Sequence, residues 1–204
     1  MAETAPRRKR RKRSAAEARE EALAAARVLL IEGGPGAVTL ANVGRAIAMS
    51  HTNVIHHFGS ASGLQAALMA YMVRDLADAL SDAVSGLHTD AQAPSRLVDR
   101  VFDAFGEGGA GQLAAWLALA REFDQFDGLK DAVRDLVAAV RDSAGNEAGS
   151  DERIRGLVLL IAVCAFGDAV IGPHLRPMLD QDDKALRRLV TQLLPILISP
   201  RPGS

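Results

Sequence analysis

Hydrophobic residues recur three and four positions apart along this chain, and clusters of glycine and proline cut the recurrence into helix-length pieces. The first piece runs from about Ser14 to Gly33-Gly34-Pro35-Gly36, with Ala22, Ala25, Ala26, Leu29 and Leu30 on one stripe. Thr39 and Ser50, both favoured N-cap residues, start short helices over about 40–47 and 51–57. Gly59-Ser60-Ala61-Ser62 opens a long helix to about Asp82, striped by Leu64, Leu68, Met69, Met72, Leu76 and Leu80. After the turn-rich Ser85–Pro94, Leu97, Val98, Val101, Phe102 and Phe105 mark a helix that ends at the glycine-rich Gly106–Gly111. Leu113, Trp116, Leu117, Leu119, Ala120 and Phe123 mark the next, and Leu129, Val133, Leu136, Val137 and Val140 the one after. The most apolar segment, Gly156–Gly172, reads as a buried helix capped near Asp151 and stopped by Gly172-Pro173. Leu186, Leu189, Val190, Leu193, Leu194 and Leu197 form a last helix, begun by the acidic Asp180–Asp183 and bent or shortened at Pro195. No strand-period alternation competes, and no repeat of about 20–50 residues is visible. The pattern predicts an all-α fold of about nine helices, with three short ones grouped at the N-terminus.

Composition agrees. Alanine, leucine and valine dominate, and aromatics make up only 4% of the 204 residues, which favours helices over strands. A single cysteine, Cys164, excludes a disulfide framework and a multi-cysteine zinc site. The net charge of -1 hides an asymmetry: residues 1–60 hold ten Lys/Arg against five Asp/Glu, and the remainder fourteen against twenty. Seven of those ten are one run, Arg7, Arg8, Lys9, Arg10, Arg11, Lys12 and Arg13. A basic end on an acidic body suits an anionic partner approached from one side, while the plainer reading is a solvated, disordered arm over 1–13. Ser14-Ala15-Ala16-Glu17 stands where a signal peptide would continue its apolar run, so a cytoplasmic location is expected. Gly156–Gly172 has 17 residues and includes Asp168, whereas a membrane span needs about 20 apolar residues.

The informative stretch is Thr39 to Leu64, TLANVGRAIAMSHTNVIHHFGSASGL. Two short helices joined by a tight turn near Ala48-Met49 make a helix-turn-helix. Val43, Ala46, Ile47, Met49, Val54 and Phe58 are expected to pack inward, leaving Ser50, His51, Thr52, Asn53 and His56 outside. Small polar and imidazole side chains at the start of a second helix suit the major groove, which admits a helix and displays base donors and acceptors within reach. Metal binding by the three histidines is not expected. His51 and His56 lie about 140° apart around a helix axis, and no cysteine or carboxylate joins them at ligand spacing.

Over about residues 20–65 the sequence resembles the TetR (tetracycline-repressor) family of bacterial transcription regulators. It keeps that family's pattern at Ala25, Ala26, Gly34, Thr39, Val43 (for isoleucine), Ser50, His57, Phe58, Ser60 and Leu64, in register without a gap. Three positions depart from it: Ala48 stands for the turn glycine, Ile55 for a tyrosine and Ala61 for a lysine. By position, the resemblance assigns base edges to His51, Thr52 and Ile55, the last only by apolar contact. It assigns backbone contacts to Thr39, Ser50, Asn53, His56 and His57. The family's tyrosine and lysine commonly touch DNA, so their loss should weaken phosphate clamping, which the Arg7–Arg13 run can replace.

For the remainder, the resemblance implies a homodimer and a small-molecule effector, with no cofactor. The apolar helix over about 151–172 and the helix over 184–198 look like the family's dimer interface. A two-fold dimer suits duplex operator DNA, whose half-sites recur about 34–36 Å apart. A ligand cavity is implied among the middle helices, lined by Met69, Met72 and Leu76 with Phe102, Phe105, Trp116 and Phe123. Cys164 and Asp168 can face it, although Asp168 could instead make a salt bridge across the interface. Aromatics at helical spacing are equally the plain contents of a core. The expected organisation is thus a basic arm (1–13), a DNA-binding domain (14–60) and a ligand-binding and dimerisation domain (61–199). The expected function is a repressor released from DNA by a hydrophobic or aromatic effector, without membrane attachment. An all-α enzyme has little support, since no phosphate loop, zinc-protease motif or nucleophile elbow is present. A protein that uses the hairpin for protein contacts remains the other alternative.

Overall fold

A computed structural model describes residues 14–85, 90–120, 127–144 and 150–198. Ten α-helices run through them: α1 (Ala15–Gly33), α2 (Leu40–Ala46), α3 (His51–Phe58), α4 (Ala61–Ser85), α5 (Ala93–Phe105), α6 (Ala110–Ala120), α7 (Asp127–Ala144), α8 (Ser150–Val170), α9 (Gly172–Met178) and α10 (Ala185–Ile198). One 3-10 turn, Pro35–Ala37, separates α1 from α2, and no strand occurs among the described residues.

Local chemistry sets the helix ends. Ser14 accepts from the Glu17 N–H at 3.1 Å, and the Glu17 carboxylate accepts from the Ser14 N–H at 2.8 Å, a reciprocal capping box at the start of α1. Before α10, Asp182 accepts from the Lys184 N–H at 2.9 Å and from both Arg188 guanidinium nitrogens at 2.9 and 2.8 Å. These bonds hold its carboxyl below the usual carboxylate range, with the Arg188 hydrogen bonds the largest cause. α10 continues through Pro195 to Ile198.

The sequence reading missed one helix. Gly172-Pro173 does more than stop α8, which ends at Val170; it also begins α9, turned 79° from α8. Proline fits the first turn of a helix because its N–H would be unpaired there anyway. Across the bend, Asp168 of α8 pairs with Arg176 of α9. That pair lies close over Gly172, where a Cβ would meet Arg176 Nη1 at 2.5 Å and Asp168 Oδ1 at 2.8 Å. A side chain at this position would push the pair aside.

Buried side chains gather in two clusters. The first joins Ala22, Leu23, Ala26 and Leu30 of α1 to Val43, Val54 and Phe58, to Leu64, Leu68, Met69 and Met72 of α4, and to Leu113 and Leu117 of α6. The second joins Leu80 of α4 to Leu97, Val98, Val101 and Phe102 of α5, with Leu136, Ile161, Ala165, Val190 and Leu194. Each fully buried Leu or Phe stabilises the fold by about 1.5–3 kcal/mol, so these stripes decide how the helices pack. α4 is the element that enters both clusters.

The helix expected to be buried, α8, is not buried all round. Ile154, Ile161 and Ala165 of α8 turn into the fold, while Leu159 and Val163 are 66% and 58% exposed. α10 repeats the pattern, with Val190 and Leu194 inside and Leu189 and Leu193 outside. Among the described residues no single helix is long and apolar enough to cross a membrane; α8 and α9 pass such a test only as a bent pair.

Candidate nucleic-acid interface

The site is built from α2, the turn after it, and α3. Thr39 begins α2 by accepting from the Asn42 N–H at 3.1 Å, and the Asn42 amide donates to the Ala37 carbonyl at 2.9 Å. Val43 and Ile47 are buried as expected, but Ala46 is exposed. Gly44 takes the inward place instead. A Cβ on it would meet the Met49 carbonyl oxygen at 2.8 Å and a Val54 methyl at 3.3 Å, so the bare backbone lets α2 and α3 approach. The turn closes with the Met49 N–H donating to the Gly44 carbonyl at 2.8 Å. Ala48 sits in that turn at φ +54°, the left-handed region, where a side chain costs roughly 1–2 kcal/mol. The alanine that stands for the expected glycine is held there under strain.

α3 begins at Ser50, which accepts from the Asn53 N–H at 3.3 Å. Val54 and Phe58 are buried, and His51, Thr52, Asn53, Ile55 and His56 are exposed. His57 is half-buried, its ring tilted against those of His56 and Phe58. The outward side therefore carries hydroxyl, amide and imidazole groups with one aliphatic side chain, and the inward side is apolar. Hydrogen-bonding groups at the first turn and an aliphatic group one turn later match what base edges and thymine methyls offer in a major groove. Among the described residues no group of histidine, cysteine and carboxylate side chains is arranged to hold a metal.

An eight-residue helix does not hold itself together in water, so contacts from outside must fix α3. Besides Val54 and Phe58, Arg19 of α1 provides them. Its Nη1 donates to the His57 carbonyl at 3.1 Å, and its guanidinium lies 4.7 Å from the centre of the Phe58 ring. Burial, and then the nearby charge of Arg74, pull the Arg19 pKa below the usual arginine value. Sequence reasoning missed this residue; the available signal was a cation one turn ahead of the Ala22–Ala26 stripe. It also missed Gln65, whose buried amide donates to the Val38 carbonyl at 3.2 Å and ties α4 to the segment before α2.

The other residues singled out in the sequence do not form one group. Met69 and Met72 lie in the first cluster, whereas Leu76, Phe105 and Cys164 pack against the second, which contains Phe102. Burial pushes the Cys164 thiol up, away from reactive thiolate. Trp116 is 47% exposed on α6, and Asp168 is taken by Arg176 of the same chain. Phe123 and the run Arg7–Arg13 lie outside the described residues.

Residues 22–68, which contain α2, the turn and α3, match the family described as "Bacterial regulatory proteins, tetR family". No curated protein is significantly similar to the chain in sequence. Among solved structures it is similar to a Rhodococcus sp. protein assigned to the TetR-family transcriptional regulators. That match has 15% identity over 90% of this chain and 100% of the other, with a TM-score of 0.64. It is also similar to the multidrug binding protein EbrR complexed with ethidium (17% identity, 87% and 98% covered, TM-score 0.58). A third is the fatty acid degradation regulator FadR from Bacillus halodurans (12% identity, 95% and 100% covered, TM-score 0.60). At these identities the likeness is one of fold.

Proposed function

We propose that this chain, whose residues 22–68 match the tetR family of bacterial regulatory proteins, is a DNA-binding transcriptional regulator of that family and works as a homodimeric repressor released from its operator by a small hydrophobic or aromatic effector. The observation that carries the proposal is the exposed polar side of α3 on a capped and buried helix-turn-helix. His51, Thr52 and Ile55 read base edges. Thr39, Ser50, Asn53, His56 and His57 set the register on the backbone, and Arg7–Arg13 add phosphate contacts. Regulation here needs no catalytic group.

The dimer forms through α8 and α10. Support comes from the outward row Gly156, Leu159, Leu160 and Val163 on α8, at helical spacing, and from Leu189 and Leu193 on α10. Contiguous exposed apolar surface rimmed by polar residues marks contact sites. The effector site belongs to residues 61–199, among Leu76, Phe102, Phe105 and Cys164, where α4, α5 and α8 meet. The similar EbrR structure holds ethidium, an aromatic cation. α4 spans both clusters, so an effector that displaces its second half moves the helix-turn-helix with it.

Selection from a pool of random duplexes tests the proposal. The expected result is one enriched site with two-fold related half-sites about 34–36 Å apart, whose affinity falls steeply with salt. Removal of residues 1–13 should flatten that salt dependence. A pool that stays random would overturn the regulator reading, and an enriched site with a single half-site would overturn the dimer.

A further inference from the structure

We infer that Arg19 is a positioning residue for DNA reading: it sets the angle at which α3 leaves the protein surface, and does so without touching DNA. The inference rests on the DNA-binding reading of α3 and names the part that aims it. α3 carries the base-reading residues His51, Thr52 and Ile55, and its fully buried side chains are Val54 and Phe58. Two buried side chains and the turns at either end are few contacts for so short a helix, and a contact from a separate element fixes its angle further. Arg19 supplies it from a different helix, 38 residues earlier in sequence, through the bond to the His57 carbonyl in the last turn of α3. Such last-turn carbonyls lack partners within the helix, and a cation beside them also meets the negative end of the helix dipole.

The same guanidinium lies over the Phe58 ring at 4.7 Å, so its plane and its hydrogen-bond direction are both fixed. Arginine suits this double task because its donors lie in a rigid plane that can stack and donate together, while a lysine ammonium has no such plane. The group is half-buried, and burial is the main reason its pKa is lowered. A side chain that has given up this much water to face its own protein is not a free phosphate clamp. α1 follows directly on the Arg7–Arg13 run, so Arg19 also ties the helix that carries the basic arm to the helix that reads bases.

The test measures affinity of the full chain for the duplex enriched from a random pool and for poly(dI-dC), across a salt series, with Arg19→Lys and Arg19→Met. Positioning predicts that Arg19→Met loses at least about ten-fold, and Arg19→Lys about five-fold, on the enriched duplex. Binding to poly(dI-dC) and the salt slope of Arg19→Lys should stay at the wild-type values. Melting temperatures are recorded for both variants, and Arg19→Lys, which keeps charge and stem, carries the test if Arg19→Met unfolds. Wild-type affinity of Arg19→Lys for the enriched duplex would overturn the inference. So would an equal loss on both DNAs by Arg19→Met with a salt slope lower by about 1, the mark of a direct phosphate contact. A wild-type chain that enriches no duplex would instead sink the DNA-binding reading, and the inference with it.

Discussion

The two hydrophobic clusters of this protein treat their apolar side chains differently. Around the first, the helix-turn-helix turns Val43, Ile47, Val54 and Phe58 inward and meets solvent mainly through polar groups, with Ile55 the large aliphatic exception. Around the second, α8 and α10 bury one face and leave leucines and valines outside on the other. The first arrangement is complete within one chain, and its surface is left for a polar partner such as DNA. The second leaves an apolar face outside, the one proposed above to meet a second copy. The difference teaches that sequence hydrophobicity sets how much surface wants burial, while the fold decides whether one chain suffices to bury it.

The comparison breaks most visibly if the outer face of α8 tolerates a charge. Val163→Asp should convert the dimer to monomer, raising its dissociation constant by more than about 100-fold, because a carboxylate would be desolvated without a partner. Sedimentation at several concentrations checks this. A dimer unchanged in strength would mean that the exposed row is only surface. Within the first cluster, Leu30→Ala removes a side chain that is 1% exposed and should cost about 2–5 kcal/mol in chemical denaturation, with the dimer constant per folded chain unaffected.

Smaller changes probe the turn. Gly44→Ala pushes a methyl against the Met49 carbonyl and should destabilise by about 1–3 kcal/mol, with a loss of DNA affinity as α3 shifts. Ala48→Gly relieves the positive φ and should raise stability by about 0.4–1 kcal/mol in the same assay. The smallest effect concerns pH. The Glu17 carboxyl is held below its usual value, first by the Ser14 N–H and then by the Ser14 hydroxyl. A lowered folded-state pKa means that its contribution is present above the unfolded value and is lost as pH falls through the folded one. Acid should therefore fray the first turn of α1, seen as lower amide protection factors at Glu17 and Ala18, with intrinsic exchange rates taken at each pH. Glu17→Gln, which keeps an acceptor, should remove most of that pH dependence.

Much of the fold was legible because period and punctuation agree. Thr39 and Ser50 cap the helices they were expected to cap, and the stripes Ala22–Leu30 and Leu64–Leu80 face the clusters. α9 was not legible, since Gly172-Pro173 signals a stop and a start alike, and the Asp168–Arg176 pair that settles the matter joins residues eight apart across a bend. Ala46 looked apolar enough to be buried, but Gly44 had to hold that place so that two backbones could meet. The outward side of α3 was readable from Val54 and Phe58 alone, whereas Arg19 was not: its role depends on where α1 crosses the end of α3, and no local pattern encodes a crossing. The middle-helix candidates were the least legible. Helical spacing places Met72 and Leu76 on one stripe, yet they enter different clusters, and Trp116 ends on the surface.

The claim beneath all of this is that the exposed side of α3 selects bases. The most direct test compares the base-by-base preference of wild type with that of His51→Ala and Thr52→Ala, each against the enriched duplex. Each substitution should erase the preference at one symmetric pair of positions, worth about 1–3 kcal/mol, and leave the others standing. A preference profile that neither substitution alters would contradict the account.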